Sequence, residues 1–286
     1  MLLLISKPLS KGAHAHLKAV QGKINRSSDP VKQAKASWKS DQKQSSFKSV
    51  RKALTAMCVG TGICNYCENN EATDIEHIFP KSFFPELAFA WENYLLACKT
   101  CNSHYKLDKI AVFNPAGSTT RFDVARGTLP PTKEVLMINP RTDDPLDFWD
   151  LDLRTGVFLE SPASGTCEFL KAAYTLEVLA LNDREALREA REVRAKYLYQ
   201  KLNAAVLVHE ALDFAALDAI VNANDPFITL DHTRTFQAVQ AELLGSIQNA
   251  ILSGPHPTVW AEIKRQQATI TNFASLFTRC PQALTW

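Results

Sequence analysis

The clearest periodicity in the chain lies between residues 166 and about 279. LNDREALREAREVRAKYLYQKLNAAVLVHEAL places Leu187, Ala190, Val193, Tyr197 and Leu198 at helical spacing, with Asn182 or Asp183 as a cap. Asp231 is positioned to cap TRTFQAVQAELLGSIQNAIL, and Gly254-Pro255 to stop it. Pro257 opens a last predicted helix, TVWAEIKRQQATITNFASLF. These stripes are expected core, and the isolated His209, His232 and His256 are expected to ligate nothing. No repeat with a period of roughly 20–50 residues is visible.

Upstream the pattern is less regular. SKGAHAHLKAVQGKI and DPVKQAKASWKSDQKQSSFKSVRKALTAM have helical potential, and Asp29-Pro30 offers an N-cap followed by proline at the first helical position. Residues 58–114 read as loop, short strand, loop and helix. ATDIEHIF is the strand, and the segment from Cys98 through Lys109 opens the helix. Residues 115–165 are rich in Pro, Gly and Asp. They hold a predicted strand, EVLMIN, a hairpin, DLDLRTGVFLE, turning at Arg154-Thr155-Gly156, and a loop, NPRTDDP. The expected class is α+β, predominantly α-helical. Four segments follow: a basic N-terminal segment (1–57), a core (58–114), a loop and short-strand extension (115–165) and a helical C-terminal region (166–286).

Composition narrows the function classes. With 46% hydrophobic and 22% charged residues the chain falls in the soluble globular range. No stretch approaches the roughly 18 apolar residues of a membrane span. MLLLISKP is too short for a signal-peptide core, so a cytoplasmic protein is expected. A chain of 286 residues buries a core without staples, so any metal staple has a local reason. Charge is uneven: residues 1–57 hold 12 Lys/Arg against 2 Asp/Glu, leaving 20 against 28 elsewhere. A basic segment beside a metal centre suits a polyanionic partner.

Four of the 7 cysteines form two pairs, Cys64-Asn-Tyr-Cys67 and Cys98-Lys-Thr-Cys101. Each knuckle aims two thiolates at one point, and two knuckles close a tetrahedral structural Zn²⁺ site with no open position. Cys58 is read as an ordinary cysteine, and Cys167 and Cys280 as core. Between and just after the pairs stand Asp74, Glu76-His77, Asn93, Asn102 and His104. Phosphodiester hydrolysis needs a base for water and a cation for the charged transition state. A neutral imidazole, His77, can take the proton, and Glu76 with the Asn102 amide oxygen can hold a hard cation. Lys81, Lys99, Lys106 and Lys109 surround the motif as candidate phosphate contacts.

At these residues the sequence resembles the HNH nucleases of the ββα-metal fold. The resemblance implies that His77 is the general base and that Glu76 and Asn102 bind a catalytic Mg²⁺ or Mn²⁺. Asn93 orients the base or ties the loop, and Asp74 assists from behind. Glu76 stands where Asp or His is more usual. Asn102 and Lys106 are separated by three residues where two are commoner, which leaves His104 as a rival ligand. EHIFPKSFFPELAFAWENYLLACKTCNSHYKLDK, with the later INPRTDDP and TLEVLALNDREALREAREVR, resembles the PtuB-like HNH subunit of Septu-type phage-defence systems, some of them retron-associated. That implies a nucleic-acid substrate, DNA or RNA, and an ATPase partner, with the helical C-terminal region docking a partner or restraining the site. The competing reading is a non-catalytic zinc module that binds nucleic acid or protein.

Overall fold

The computed structural model describes residues 1–60, 62–225 and 227–286, without the side chain of Ser118. The element content is α+β and predominantly helical. The chain forms two compact units. The first comprises Met1–Asp152 with Val157–Arg188, the second Leu153–Gly156 with Glu189–Trp286. The first unit takes in the basic residues 1–57 together with residues 58–114.

Three helices open the first unit. α1 (Lys11–Asn25) is capped by the Ser10 hydroxyl, and α2 (Pro30–Asp41) by the Asp29 carboxylate with proline at its first turn. α3 (Ser46–Thr55) is separate from α2. α1 buries Leu17, Val20 and Ile24, and α3 buries Phe47, Val50 and Leu54. Next, β1 (Asp74–His77) pairs antiparallel with β2 (Tyr94–Ala97), His77 opposite Tyr94 and Asp74 opposite Ala97. Every residue of β2 is buried, so this two-stranded ribbon is packed over instead of standing alone in water.

A π-helix follows at Thr100–Lys106, where an α-helical opening is expected; its Leu107 N–H donates to the Asn102 carbonyl. A π-turn winds in one residue more than an α-turn, which absorbs the extra residue between Asn102 and Lys106. β3 (Ala111–Asn114) pairs with β4 (Gly117–Asp123). EVLMIN does not form a strand. Only Val135 bridges Val112, after which the Ile138 N–H turns to the Thr175 hydroxyl at 2.9 Å. β5 (Trp149–Asp152) and β6 (Val157–Glu160) form the expected hairpin, with Gly156 at φ 67°. α4 (Cys167–Val178) is capped by Thr166.

The second unit is helical: most of α5 (Glu185–Glu210), then α6 (Phe214–Asn224), α7 (Phe236–Ser253), α8 (Pro257–Arg265) and α9 (Thr271–Arg279). Its core gathers Val208, Ala211, Leu217, Val221, Val239 and Leu243. Four sequence expectations shift here. Asn182 does not cap α5; its amide clamps both backbone groups of Phe158, at 3.0 and 2.8 Å. Within α5, Val193 is 64% exposed, and the buried stripe runs Leu187, Arg191, Arg194, Leu198, Leu202. Arg194 is buried because its guanidinium caps α7, donating to Ile251 O at 2.6 Å. Thr235 caps α7, while Asp231 folds onto Thr233. The last predicted helix is two, α8 and α9, and His256 is buried in a left-handed turn before α8.

Candidate active site and metal centre

The Sγ atoms of Cys64, Cys67, Cys98 and Cys101 all lie within 4.8 Å of one another, and all four residues are buried. A tetrahedral zinc with Zn–S of about 2.3 Å sets its sulfurs roughly 3.8 Å apart, and Cys67 and Cys98 stand at 3.9 Å. The donor set and its compactness therefore fit a structural zinc. N–H groups converge on the sulfurs as they do on thiolates: Tyr66 N–H on Cys64 at 3.4 Å and Cys101 N–H on Cys98 at 3.3 Å. Arg184, just before α5, donates to Cys101 Sγ at 3.3 Å while its guanidinium lies over Tyr105. This outer support was invisible in the sequence, since 83 residues separate the partners. Cys58 stays outside the cluster and accepts from the Asn65 amide at 3.6 Å.

The zinc knuckles flank the strand pair that carries the candidate catalytic groups. A cleft of about 190 Å³ is lined by Glu76, His77, Asn102 and Lys81 together with Lys35, Trp38 and Asp108. His77 is 5% exposed. Its Nε2 lies 2.9 Å from the Ala88 carbonyl, which can only accept, so Nε2 carries the proton and Nδ1 keeps a lone pair. The Tyr94 hydroxyl donates to the same carbonyl at 2.7 Å. Burial first, then the Lys81 charge, push the His77 imidazole down to about 3, which holds it neutral at physiological pH.

Asn93 ties the loop that carries this carbonyl. Its Oδ1 accepts from Phe79 N–H at 2.7 Å, and its amide donates to Phe79 O at 3.0 Å and Leu87 O at 2.9 Å. Gln21 of α1 holds the same loop from outside, accepting from Phe89 N–H at 2.8 Å and donating to Pro85 O at 3.0 Å. Trp38 of α2 sets its ring edge-on to His77, centroids 4.3 Å apart. Arg141, from the predicted loop NPRTDDP, donates to Trp91 O at 2.6 Å and Tyr94 O at 2.9 Å. None of these three supports carries a sequence signal, because each depends on a contact made across the fold.

Asn102 donates from its amide to Asp74 at 2.9 Å, so its Oδ1 is the atom left to accept a cation. Glu76, 4% exposed, is ion-paired with Lys106 at 2.5 Å. Burial still lifts the Glu76 carboxyl above its usual range against the pull of Lys106. A buried carboxylate with a single cationic partner, beside an amide oxygen at the same cleft, fits a hard divalent ion that keeps several waters.

The other expected contacts divide. Lys81 lines the cleft, half-buried, and Lys99 and Lys109 are exposed. Lys106 contradicts its expected role as a phosphate contact: it is 1% exposed and committed to Glu76 and, at 2.9 Å, to His77 O. His104 is exposed, its ring against Tyr105, and is not among the residues lining the cleft.

Residues 64–106 match the HNH endonuclease family. The match begins at Cys64 and ends at Lys106, so it spans the four clustered cysteines and both strands of the β1–β2 pair. At the family level this HNH module supports nuclease activity, nucleic-acid binding and metal binding. No curated protein matches the chain. No helix among the described residues is long and apolar enough to cross a membrane.

Proposed function

We propose that this protein is a metal-dependent HNH endonuclease that hydrolyses phosphodiester bonds, acting in anti-phage defence beside an ATPase partner. The observation that supports the chemistry is the state of His77. A neutral imidazole, its Nε2 proton committed to Ala88, shares a cleft with Glu76 and Asn102. In the proposed reaction Nδ1 takes the proton from a water that attacks phosphorus. The bond to the leaving oxygen breaks, and that oxygen takes a proton from solvent. Asn93, Trp38 and Tyr94 keep the ring from turning away. Glu76 and the Asn102 oxygen would hold the divalent ion, which when bound stabilises charge on the phosphate and leaving oxygen. Lys81 supplies a fixed positive charge at the cleft. The defence role and the ATPase partner rest on the resemblance to PtuB-like subunits alone, as does a docking or restraining role for the helical C-terminal region.

The test is cleavage of plasmid DNA and total tRNA with Mg²⁺ or Mn²⁺, alone and with the operon neighbours present. His77→Ala is expected to lower the rate by about 10²–10⁴-fold, with zinc retained. Asn102→Ala should abolish metal-dependent cleavage while His104→Ala leaves it intact. Wild type and His77→Ala behaving alike on every substrate would leave only a zinc-bound interaction module.

A further inference from the structure

The cleft is lined by two carboxylates, and both are already neutralised. Glu76 is paired with Lys106, and Asp108 accepts a forked contact from Arg126 at 2.7–3.2 Å. The two lysines that line the cleft, Lys35 and Lys81, have no carboxylate within 4 Å among the described residues. Each cleft carboxylate is therefore matched by a cation, and Lys35 and Lys81 add positive charge that no ion pair takes up.

Lys35 does not stand alone. α2 runs Pro30–Asp41, and Lys32, Lys35 and Lys39 fall on one side of it at three- and four-residue spacing. All three are exposed, and none has an acidic partner among the described residues. The buried positions Ala34 and Ser37 lie on the opposite side. Seven residues of helix span roughly 10 Å, about three base-pair steps along a duplex axis at 3.4 Å each. The helix is fixed, because Trp38 is packed between His77, Phe47 and Phe89. An unpaired lysine row on a rigid helix, with one member on the rim of the cleft, matches a phosphate backbone in charge and spacing.

We infer that the Lys32–Lys35–Lys39 row of α2 is a polynucleotide-backbone track that leads a strand into the His77 cleft. The track lies outside the residues matched to the HNH family. The inference rests on the nuclease reading for its direction, though not for binding itself.

The experiment uses the full chain in a His77→Ala background, so that binding is measured without cleavage. Fluorescent single- and double-stranded oligonucleotides are titrated across a salt series. Changing Lys32, Lys35 and Lys39 together to Gln is expected to weaken binding at least tenfold at moderate salt. The slope of log K against log salt should fall by about 2–3, near 0.7 per contact for single strands and 0.9 for duplex. A charge-matched control changes Lys11, Lys18 and Lys23 of α1 to Gln, and its slope should move by less than one. Zinc content and helical signal check that both variants fold. Equal losses in the two variants, or no loss in the α2 variant, would overturn the track. If the parent protein binds no polynucleotide, track and nuclease reading fall together. A slope that depends on α2 in a protein whose wild type cuts nothing would leave the track and remove the nuclease.

Discussion

The two units differ in what they bury beside their aliphatic side chains. The second gathers aliphatic side chains from long helices, with Val208, Leu217, Val221 and Leu243 meeting in an apolar cluster. The first buries apolar side chains too, Leu17, Phe47 and Leu95 among them, and sets polar groups in their midst. Glu76, His77, Asn93 and Lys106 are all at most 5% exposed, around strands four residues long. Buried polar groups cost free energy unless each finds a partner, and here each does, through Lys106, Ala88, Phe79 and Leu87. In the first unit the polar groups meet at one cleft, with four thiols gathered beside it; in the second the buried Arg191 and Arg194 serve backbone carbonyls.

Removing the metal should break this contrast most sharply. Structural zinc sites in small modules are worth about 10–16 kcal/mol of binding free energy, which appears as folding free energy. Cys98→Ser, or strong chelation, is expected to release the single zinc and unfold the strand pair and π-helix. Trp38 and Trp91 fluorescence would report the change, while the helical signal of α6–α9 persists. A stable, zinc-free Cys98→Ser protein with native Trp38 and Trp91 emission would refute the staple.

The converse perturbation belongs to the second unit. Leu202 is fully buried on α5. Leu202→Ala should destabilise that unit by about 2–5 kcal/mol through lost burial and the cavity left behind, with zinc retained. Zinc loss in this variant under native conditions would erase the distinction between the units.

A smaller cut tests whether polar burial is as costly as it looks. Asn93→Ala strands the Phe79 N–H and two carbonyls that its amide now satisfies. The expected loss is about 2–3 kcal/mol from unsatisfied backbone groups. The rate should fall further than stability alone explains, since the loop carrying Ala88 sets the His77 tautomer. Asn93→Asp, which keeps the acceptor for Phe79 N–H, should recover part of the stability. Activity that survives Asn93→Ala intact would mean that the loop is held by Gln21 and packing alone.

How much of this was legible in the chain follows from the same contrast. That Cys64, Cys67, Cys98 and Cys101 gather, and that Glu76, His77 and Asn102 meet at one cleft, is readable from those residue types at that spacing. The asymmetry of charge and the helical potential of residues 1–57 are readable too, down to the Asp29-Pro30 start of α2, but not that these helices pack against the strand pair. Trp38 and Gln21 look like any helical Trp and Gln, since what they do depends on His77 and Phe89 arriving from far along the chain. The extra residue before Lys106 was visible as spacing, but its absorption by a π-turn was not. In the helical unit, periodicity gave α5 and α7, ran α8 and α9 together and passed over α6. Asn182 and Asp231 are good caps in isolation, but Phe158 and Thr233 compete for them. Arg191 and Arg194 are buried against expectation because each meets backbone carbonyls, Gly156 O at 2.8 Å and Ile251 O at 2.6 Å.

The smallest expected effect isolates His77. Its imidazole is pushed down to about 3 by burial and by Lys81, against about 6.5 in the unfolded chain. Between those values the unfolded state binds a proton that the folded state refuses. Stability is therefore fully present above pH 6.5 and falls as pH drops, by about 1.4 kcal/mol per unit for one proton. The thiols and carboxylates also titrate, so the measurement is the difference between wild type and His77→Gln. In that variant the amide can still donate to Ala88 O but cannot protonate. With zinc saturating, denaturant melts at pH 7, 6 and 5 should show wild type losing ground to His77→Gln as pH falls. A flat difference would mean that His77 is solvated, and that the neutral buried base, on which the contrast with the aliphatic unit turns, does not exist.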